Sequence, residues 1–497
     1  MLEHVFKQVG ALAAAKKTNV SVVGGFVRDS LLKKTHTKDA DFVVDGAVYA
    51  QMGAGLAFAQ AFAQKMGQAA GTLIEFPEFD TARFVFVEER EEKNAETGEV
   101  HTHRTPLFEI EFAGARAESY RKESRKPAVT PATLTQDLSR RDFTVNAMAR
   151  RVEKDGSFGP LVDPFGGQDD LKKKILKTPL APDETFSDDP LRMLRAARFA
   201  AQLQFAIEPN TYDAIARNAK RIKIVSQERI LEEFMKLLAA PKPSAGLWIL
   251  HNTGLMRLIL PEVSNLEGVE DVYGKTHKDN LSHSFQVVDN IAEQSDKILL
   301  RFAGLLHDIG KPGTKHFDTT RGWTFDMHEH LGKKMVRAIG RRLRMSKDHT
   351  EYIARLVRWH MQPINLMDEG VSDSAVRRLI VNLQDELPEL LVLCRSDITT
   401  GNPKKKAHRL KNYDRLERVI EEVKEKDRLR AFQSPVRGEE IMEACGLKPG
   451  PTVGKIKEAI EEAILDGKIP NDYEPARAYF EEIKDAYMKD AALWEKV

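Results

Sequence analysis

Residues 21–45 read SVVGGFVRDSLLKKTHTKDADFVVD, and the order of features in this stretch decides the fold. An apolar run, Val20–Val23, has the β-branched composition of a buried strand. Gly24-Gly25 then opens a turn into a short helix, Phe26–Leu32, and a second strand carries Asp39 and Asp41 ahead of Phe42-Val43-Val44. Two glycines before a helix let backbone amides approach a phosphate at the positive end of the helix dipole. Asp39 and Asp41 are two apart on a strand, so both carboxylates point to one face. Such a pair repels unless a cation lies between its members. Hard oxygen ligands suit Mg²⁺, which also takes phosphate oxygens and waters. A phosphate cradle beside metal carboxylates points to phosphoryl or nucleotidyl transfer with two metals.

Either feature alone is common in proteins. In this order, within 18 residues, they resemble the signature of the nucleotidyltransferase superfamily, in the form used by class II tRNA nucleotidyltransferases and bacterial poly(A) polymerases. The resemblance implies that Gly24, Gly25, Arg28 and Asp29 bind nucleotide and that Asp39 and Asp41 hold Mg²⁺.

Length and composition set the frame. A chain of 497 residues implies several domains. Hydrophobic residues make up 42% and charged residues 30%, with a net charge of +1. This fits a globular protein without a global field for nucleic acid, so any such site must be a local patch. Two cysteines, Cys394 and Cys445, argue against a disulfide framework and fit a reducing cytoplasm. The start MLEHVFKQVGALAAAKK lacks the pattern of a signal peptide, and no apolar run reaches membrane-span length, so no membrane partner is expected.

Along the chain, residues 4–17 and 48–67 read as helices, and Thr72–Phe76, Ala82–Val87 and Leu107–Phe112 as strands. The polar stretch 88–106 reads as a hairpin loop, with His101 and His103 exposed rather than ligating. Glu109 and Glu111 share a face of the last strand. The family has a Glu followed five residues later by Arg, then Glu and Tyr; here these are Glu111, Arg116, Glu118 and Tyr120. The resemblance therefore selects Glu111 as a third catalytic carboxylate and leaves Glu109 as a surface or structural one.

In SRRDFTVNAM, residues 139–148, Arg140 and Arg141 suit phosphate oxygens. Asp142 and Asn146, four apart, share a face if the segment is helical. The string resembles the family's ribose-selecting motif. Asp163–Gln168 marks a turn into a helix near Asp169 and resembles the family's hinge between head and neck. In FSDDPLRMLRAARF, residues 186–199, Pro190 fits a helix start with Asp188 or Asp189 as cap. Asp189, Arg192 and Arg195 are spaced by three on one face. A carboxylate accepts and a guanidinium donates, which matches the amine and ring nitrogen of adenine or cytosine and rejects guanine and uracil. The stretch resembles the family's nucleotide-selecting helix, with Asp188 where Glu is usual. Ser226–Ile230, Glu233 and Lys236 resemble the neck element that supports it.

From residue 277 a different set begins. His283, the pair His307-Asp308, and Asp397 resemble in order the metal ligands of the HD phosphohydrolase superfamily, and His328 and His360 match the extra histidines of versions that bind a second metal. Imidazole and carboxylate ligands suit a divalent transition metal. Residues 331–347 hold seven Lys or Arg and no acid, which suits either a solvated face or a phosphate backbone. The Gly-rich turn Lys448–Gly454 ahead of a helix at Lys455–Ala463 could grip RNA phosphate or form a packing module.

The expected architecture is α+β. A small mixed-sheet head (1–165) precedes a mostly helical neck (166–240), a body with the HD domain (241–400) and a tail (401–497) that contacts tRNA. The resemblance implies addition of CCA to tRNA from CTP and ATP, with HD phosphohydrolase activity. A poly(A) polymerase, an A-only or C-only enzyme, or an HD hydrolase with an RNA-binding head are the alternatives. Oligomeric state is left open.

Overall fold

The computed structural model describes residues 2–34, 39–45, 53–93, 100–121, 124–268, 271–272, 275–276, 279–368, 372–427, 434–489, 491 and 493–495. It divides into two compact units, Met1–Ser264 and Asn265–Val497.

The first unit is built on strands β1 (Asn19–Val23), β2 (Asp39–Asp45), β3 (Gly71–Phe76), β4 (Thr81–Lys93), β5 (Val100–Gly114), the hairpin β6 (Arg116–Arg121) and β7 (Ser124–Pro131), β8 (Ala149–Val152) and β9 (Phe158–Val162). Seven of them form a mixed sheet in the order β3-β4-β5-β2-β1-β8-β9, with β2 and β5 parallel. Alternation sorts the two faces. Ala40, Phe42 and Val44 of β2, with Ile110 and Phe112 of β5, face a core closed by the helices Leu2–Lys16 and Ala54–Met66. Phe42 and Phe112 stack at 5.1 Å. Truncating such a buried ring to Ala costs about 3–5 kcal/mol, so a one-residue slip of β2 is strongly disfavoured. Asp39 and Asp41 are therefore held on the opposite face.

Several elements differ from expectation. Residues 88–93 and 100–106 belong to strands rather than a loop: β4 and β5 continue as a ladder to Lys93 and from Val100, with a bulge at Phe86/Val87, and residues 94–99 lie outside the described set. The side chains of His101, His103, Glu118 and Tyr120 lie outside the described residues. Residues 140–146 are not an α-helix. The helix Leu134–Ser139 ends at Arg140, Phe143 is extended, and only Thr144–Asn146 makes a 3₁₀ turn. Extension buries Phe143 completely. The helix expected near Asp169 starts at Gly167, because the Asp163 carboxylate accepts from the amides of Gly167 and Gln168 at 2.7 and 2.8 Å. The Ala-rich helix is described over Ala54–Met66; residues 46–52 lie outside the described set.

Apart from a short parallel pair, Ile175–Leu176 with Ala206–Ile207, the rest of the first unit is helical, including Pro182–Asp188, Leu191–Leu203 and Gln227–Leu238. The second unit is almost wholly helical. Asn280–Ala292, Ile298–Leu306, His328–Arg342, Lys347–Trp359 and Leu387–Ser396 surround the HD residues. Gly310 lets two of these segments cross: a Cβ there would lie 2.1 Å from the His328 carbonyl oxygen. The long helix Pro403–Asp427 follows, then a tail module with its own core, including Ile441, Ile456, Ile460 and Phe480. No helix among the described residues is long and apolar enough to cross a membrane.

Candidate functional site

The polar face of the sheet floors a cavity of about 1280 Å³. Strand register assembles its acids: Asp39 pairs with Glu109, and Asp41 with Glu111. Paired residues on neighbouring strands face the same side, so four carboxylates line one corner. Arg83 of β4 reaches Glu109 and Glu111 at 3.4 and 3.5 Å. Asp41 opens to the cavity, yet protein surrounds it on most sides. That burial, with Glu111 and Asp39 adding repulsion against the attraction of Arg141, raises its pKa to about 6. A carboxylate this reluctant to ionise is one that a divalent cation would relieve, so the donor set fits Mg²⁺.

Gly24 sits at φ 71°, ψ −133°, a conformation open to glycine alone. A Cβ there would meet Arg141 Nη1 at 3.1 Å and Asp41 Oδ2 at 3.6 Å. Its amide donates to the Met148 carbonyl, so it is not the phosphate donor expected. Gly25 carries no such restraint: a Cβ would make an ordinary contact with Arg28 at 3.6 Å.

A polar network joins the two glycines' helix to the helix Leu191–Leu203. Arg28 binds Asp29 through two nitrogens at 2.9 Å and donates to Asn146 Oδ1 at 2.7 Å. Asn146 Nδ2 donates to Asp142 Oδ1 at 2.9 Å, and Arg195 donates twice to Asp142 Oδ2 at 2.6 and 2.8 Å. Burial works against ionising Asp142, but Arg195 and Asn146 outweigh it and hold the pKa at about 2. Glu233 ties Arg195 to Arg198 at 3.7 and 3.0 Å. The 3₁₀ turn, not a shared helix face, brings Asp142 and Asn146 together.

Arg192 is buried and donates to the Arg140 carbonyl at 2.6 Å and the Thr185 carbonyl at 3.5 Å. Asp188 ends the preceding helix, whereas Asp189 Oδ1 accepts from the Leu191 amide at 3.2 Å, at the start of the helix Leu191–Leu203. Asp189 and Arg192 both line the cavity. Its walls carry ten Arg or Lys side chains against seven carboxylates, which makes it a local basic patch on a nearly neutral chain.

The second unit gathers all six residues expected of the HD set. Nε2 of His283 lies 2.8 Å from Asp397 Oδ1 and 3.6 Å from Asp308 Oδ2. Nε2 of His307 lies 3.2 Å from Asp308 Oδ2. On the other side, Asp308 Oδ1 is 3.4 Å from His328 Nε2 and 3.8 Å from His360 Nε2. Asp308 thus stands between two ligand groups, His283-His307-Asp397 and Asp308-His328-His360. Each Nδ1 is anchored: His307 to the Gly304 carbonyl, His328 to that of Phe325, His360 to that of Val357, and His283 to the Thr399 hydroxyl, all at 2.7–2.9 Å. Such anchors fix the ring and turn Nε2 inward. His307 Nε2 is buried without a hydrogen bond of normal geometry, as a metal-directed nitrogen would be. Burial disfavours the charged His307, but Asp308 and Asp397 outweigh it and raise its pKa to about 10; burial and the nearby His307 lower His360 to about 3. The two groups offer imidazole nitrogens and carboxylate oxygens of the kind that hold divalent metal ions.

Comparison with known proteins follows the same division. The model for the poly A polymerase head domain matches residues 20–177, that for the probable RNA and SrmB-binding site of polymerase A matches 204–266, and the HD domain model matches 280–401. An A-adding tRNA nucleotidyltransferase of Deinococcus radiodurans is 34% identical over 70% of this chain and 79% of its own. The chain belongs to the tRNA nucleotidyltransferase family. A CC-adding member from Thermus thermophilus is 34% identical over 70% and 76% of the two chains, and a multifunctional CCA protein of Burkholderia pseudomallei 33% over 71% and 77%. The fold is that of the Bacillus stearothermophilus CCA-adding enzyme in complex with CTP: TM-score 0.59, 21% identity, 98% of each chain covered.

Within this family frame, the sequence reading missed two head residues. Asp137 is fully buried and binds Arg140 at 2.5 Å and Arg141 at 3.1 Å, so both arginines are braced by protein on one side. The spacing Asp137-Arg140-Arg141, at i+3 and i+4 from a helix, was the available signal. Glu109 lines the cavity beside Glu111 instead of lying on an unrelated surface. In the tail, the helix begins at Pro451, and Glu495 accepts from the Thr452 amide and hydroxyl at 2.8 and 2.9 Å. That helix start is filled by the protein's own carboxylate, as the packing-module alternative requires. Of the basic run 331–347, Arg337 is paired with Glu351 at 2.6 Å.

Proposed function

We propose that this chain extends the 3′ end of tRNA with CCA from CTP and ATP, and that Asp39, Asp41 and Glu111 are its catalytic carboxylates. The observation that carries the reading is the carboxylate corner set against an arginine-rich wall within one cavity. The RNA 3′-hydroxyl attacks the α-phosphorus: an O–P bond forms, the bond to pyrophosphate breaks and pyrophosphate leaves, and the hydroxyl proton passes to solvent water. Mg²⁺ bound by the carboxylates supplies hydroxyl activation and charge neutralisation. Arg140 and Arg141, held in place by Asp137, direct their remaining donors at triphosphate oxygens. Asp142 and Asn146 orient the ribose. Asp189 accepts from the base amine while Arg192 donates to the ring nitrogen. The relatives divide among A-adding, CC-adding and CCA enzymes at near-equal identity, so a partial adder is the second reading.

Incubating tRNA that ends in its discriminator base with CTP, ATP or both separates these readings by product length. Asp39→Ala and Asp41→Ala should each abolish addition while the fold persists. Turnover retained at saturating Mg²⁺ in either variant would overturn the assignment.

The six-ligand centre supports a phosphohydrolase activity dependent on a transition metal. Its separation from the head residues in sequence means that His307→Ala should remove hydrolysis and bound metal while CCA addition survives. Two free cysteines, one buried, support a cytoplasmic setting.

A further inference from the structure

A small cavity of about 90 Å³ lies beside the metal centre and shares Asp397 with it. Asp397 is the most exposed of the six ligands, at 20% against 1–7% for the others. Asp397 is the one ligand of the six that lines the cavity. The opposite wall comes from the helix Pro403–Asp427, which begins beyond the HD match ending at residue 401. Arg409, Asn412 and Tyr413 line the cavity and, at spacings of three and four, share one helix face. Tyr413 is 1% exposed, and its hydroxyl has the Cys394 thiol as a partner but no nitrogen or oxygen in hydrogen-bond geometry among the described residues. The neighbouring Cys394 thiol donates to the His360 carbonyl at 3.1 Å and is at best a weak acceptor. A buried hydroxyl facing a cavity calls for a stronger partner.

We propose that this helix completes the phosphohydrolase site, and that Arg409, Asn412 and Tyr413 receive the sugar of a ribonucleoside phosphate ester. The proposal rests on the HD reading. The volume suits a sugar ring and is far below the 300 Å³ or more of a site that encloses a whole drug-sized ligand, so the base stays outside. Tyr413 and Asn412 both donate and accept, which matches vicinal hydroxyls, while Arg409 only donates and suits an ionised phosphate oxygen. Ile364, Met367 and Ile398 offer an apolar surface to the ring. In the reaction a water oxygen bonds to phosphorus, the P–O ester bond breaks, and the leaving alkoxide takes a proton.

The test uses the full chain loaded with Mn²⁺, Co²⁺ or Ni²⁺. Substrates are adenosine 3′- and 5′-monophosphate, each against its 2′-deoxy analogue, with p-nitrophenyl phosphate as the sugar-free ester. Wild type should prefer ribo over deoxy by at least about tenfold in kcat/KM, because a site built for a hydroxyl rejects the analogue lacking it. Tyr413→Phe and Asn412→Ala should each cut the ratio of ribonucleotide to p-nitrophenyl phosphate kcat/KM by about tenfold, mainly through KM. Metal content measured on the same samples reports whether the centre is intact. A ratio within twofold of wild type in both variants overturns the proposal. Wild type inactive on every ester, whatever the metal, overturns the HD reading beneath it, which is a different result.

Discussion

Replacing Asp142 by Asn tests whether the network across the head is held by charge. Asp142 is 7% exposed and accepts two guanidinium bonds from Arg195. Its folded pKa of about 2 lies below the ordinary 3.8, so the folded state favours the ionised form. A group depressed in this way contributes fully above its unfolded pKa and loses that contribution as pH falls toward its folded pKa. A shift of about two units corresponds to roughly 2–3 kcal/mol at pH 7. By the same relation about half should remain at pH 3 and almost none below pH 2. Asn keeps the shape and the bond to Asn146 but carries no charge. The stability gap between wild type and Asp142→Asn should therefore be about 2–3 kcal/mol at pH 7 and about 1 kcal/mol at pH 3. Urea unfolding of both proteins at each pH, with sucrose added to keep the fold at pH 3, measures that gap. Taking the difference between two proteins cancels the other carboxylates that titrate in this range. A gap equal at both pH values would show that shape, not ionisation, holds Arg195, and the reasoning would fail.

Other outcomes follow from single contacts. Gly24→Ala places a Cβ 3.1 Å from Arg141 Nη1 in a backbone region costly for any other residue, so addition should fall by more than about tenfold, from strain of roughly 1–3 kcal/mol; activity near wild type would contradict this. Asp189→Asn turns one acceptor into a mixed donor and acceptor, so CTP-over-UTP and ATP-over-GTP preference in kcat/KM should drop at least about tenfold; unchanged ratios with a lower overall rate would reduce Asp189 to its role as a helix cap. Glu495→Ala removes both bonds to Thr452 and should destabilise the tail by about 1 kcal/mol, as loss of a cap does, without strengthening tRNA binding. A gain in tRNA affinity would reinstate the tail helix as an anion site that Glu495 masks.

Local pattern was enough for much of this protein. The alternation in β2, the Gly-Gly turn and the Asp-x-Asp pair are properties of neighbouring residues, and short-range sterics and side-chain period act on them wherever the chain goes. The same holds for the helices that carry His283 and Arg192, and for the order of the six HD ligands. Tertiary structure decided the rest. Glu109 joins Asp39 because β5 runs parallel to β2, and no local feature specifies which strand lies alongside. Asp142 meets Arg195, 53 residues away, because Phe143 is driven into the core and pulls its segment out of a helix. Asp308 comes to stand between two histidine pairs because Gly310 permits a crossing too close for any side chain. The tail helix is capped by a residue 43 positions distant, where a glycine-rich sequence alone left its first turn open to an outside anion. In each case the deciding energy is burial or the pairing of a buried charge, and both depend on what the fold brings near rather than on what the sequence places next.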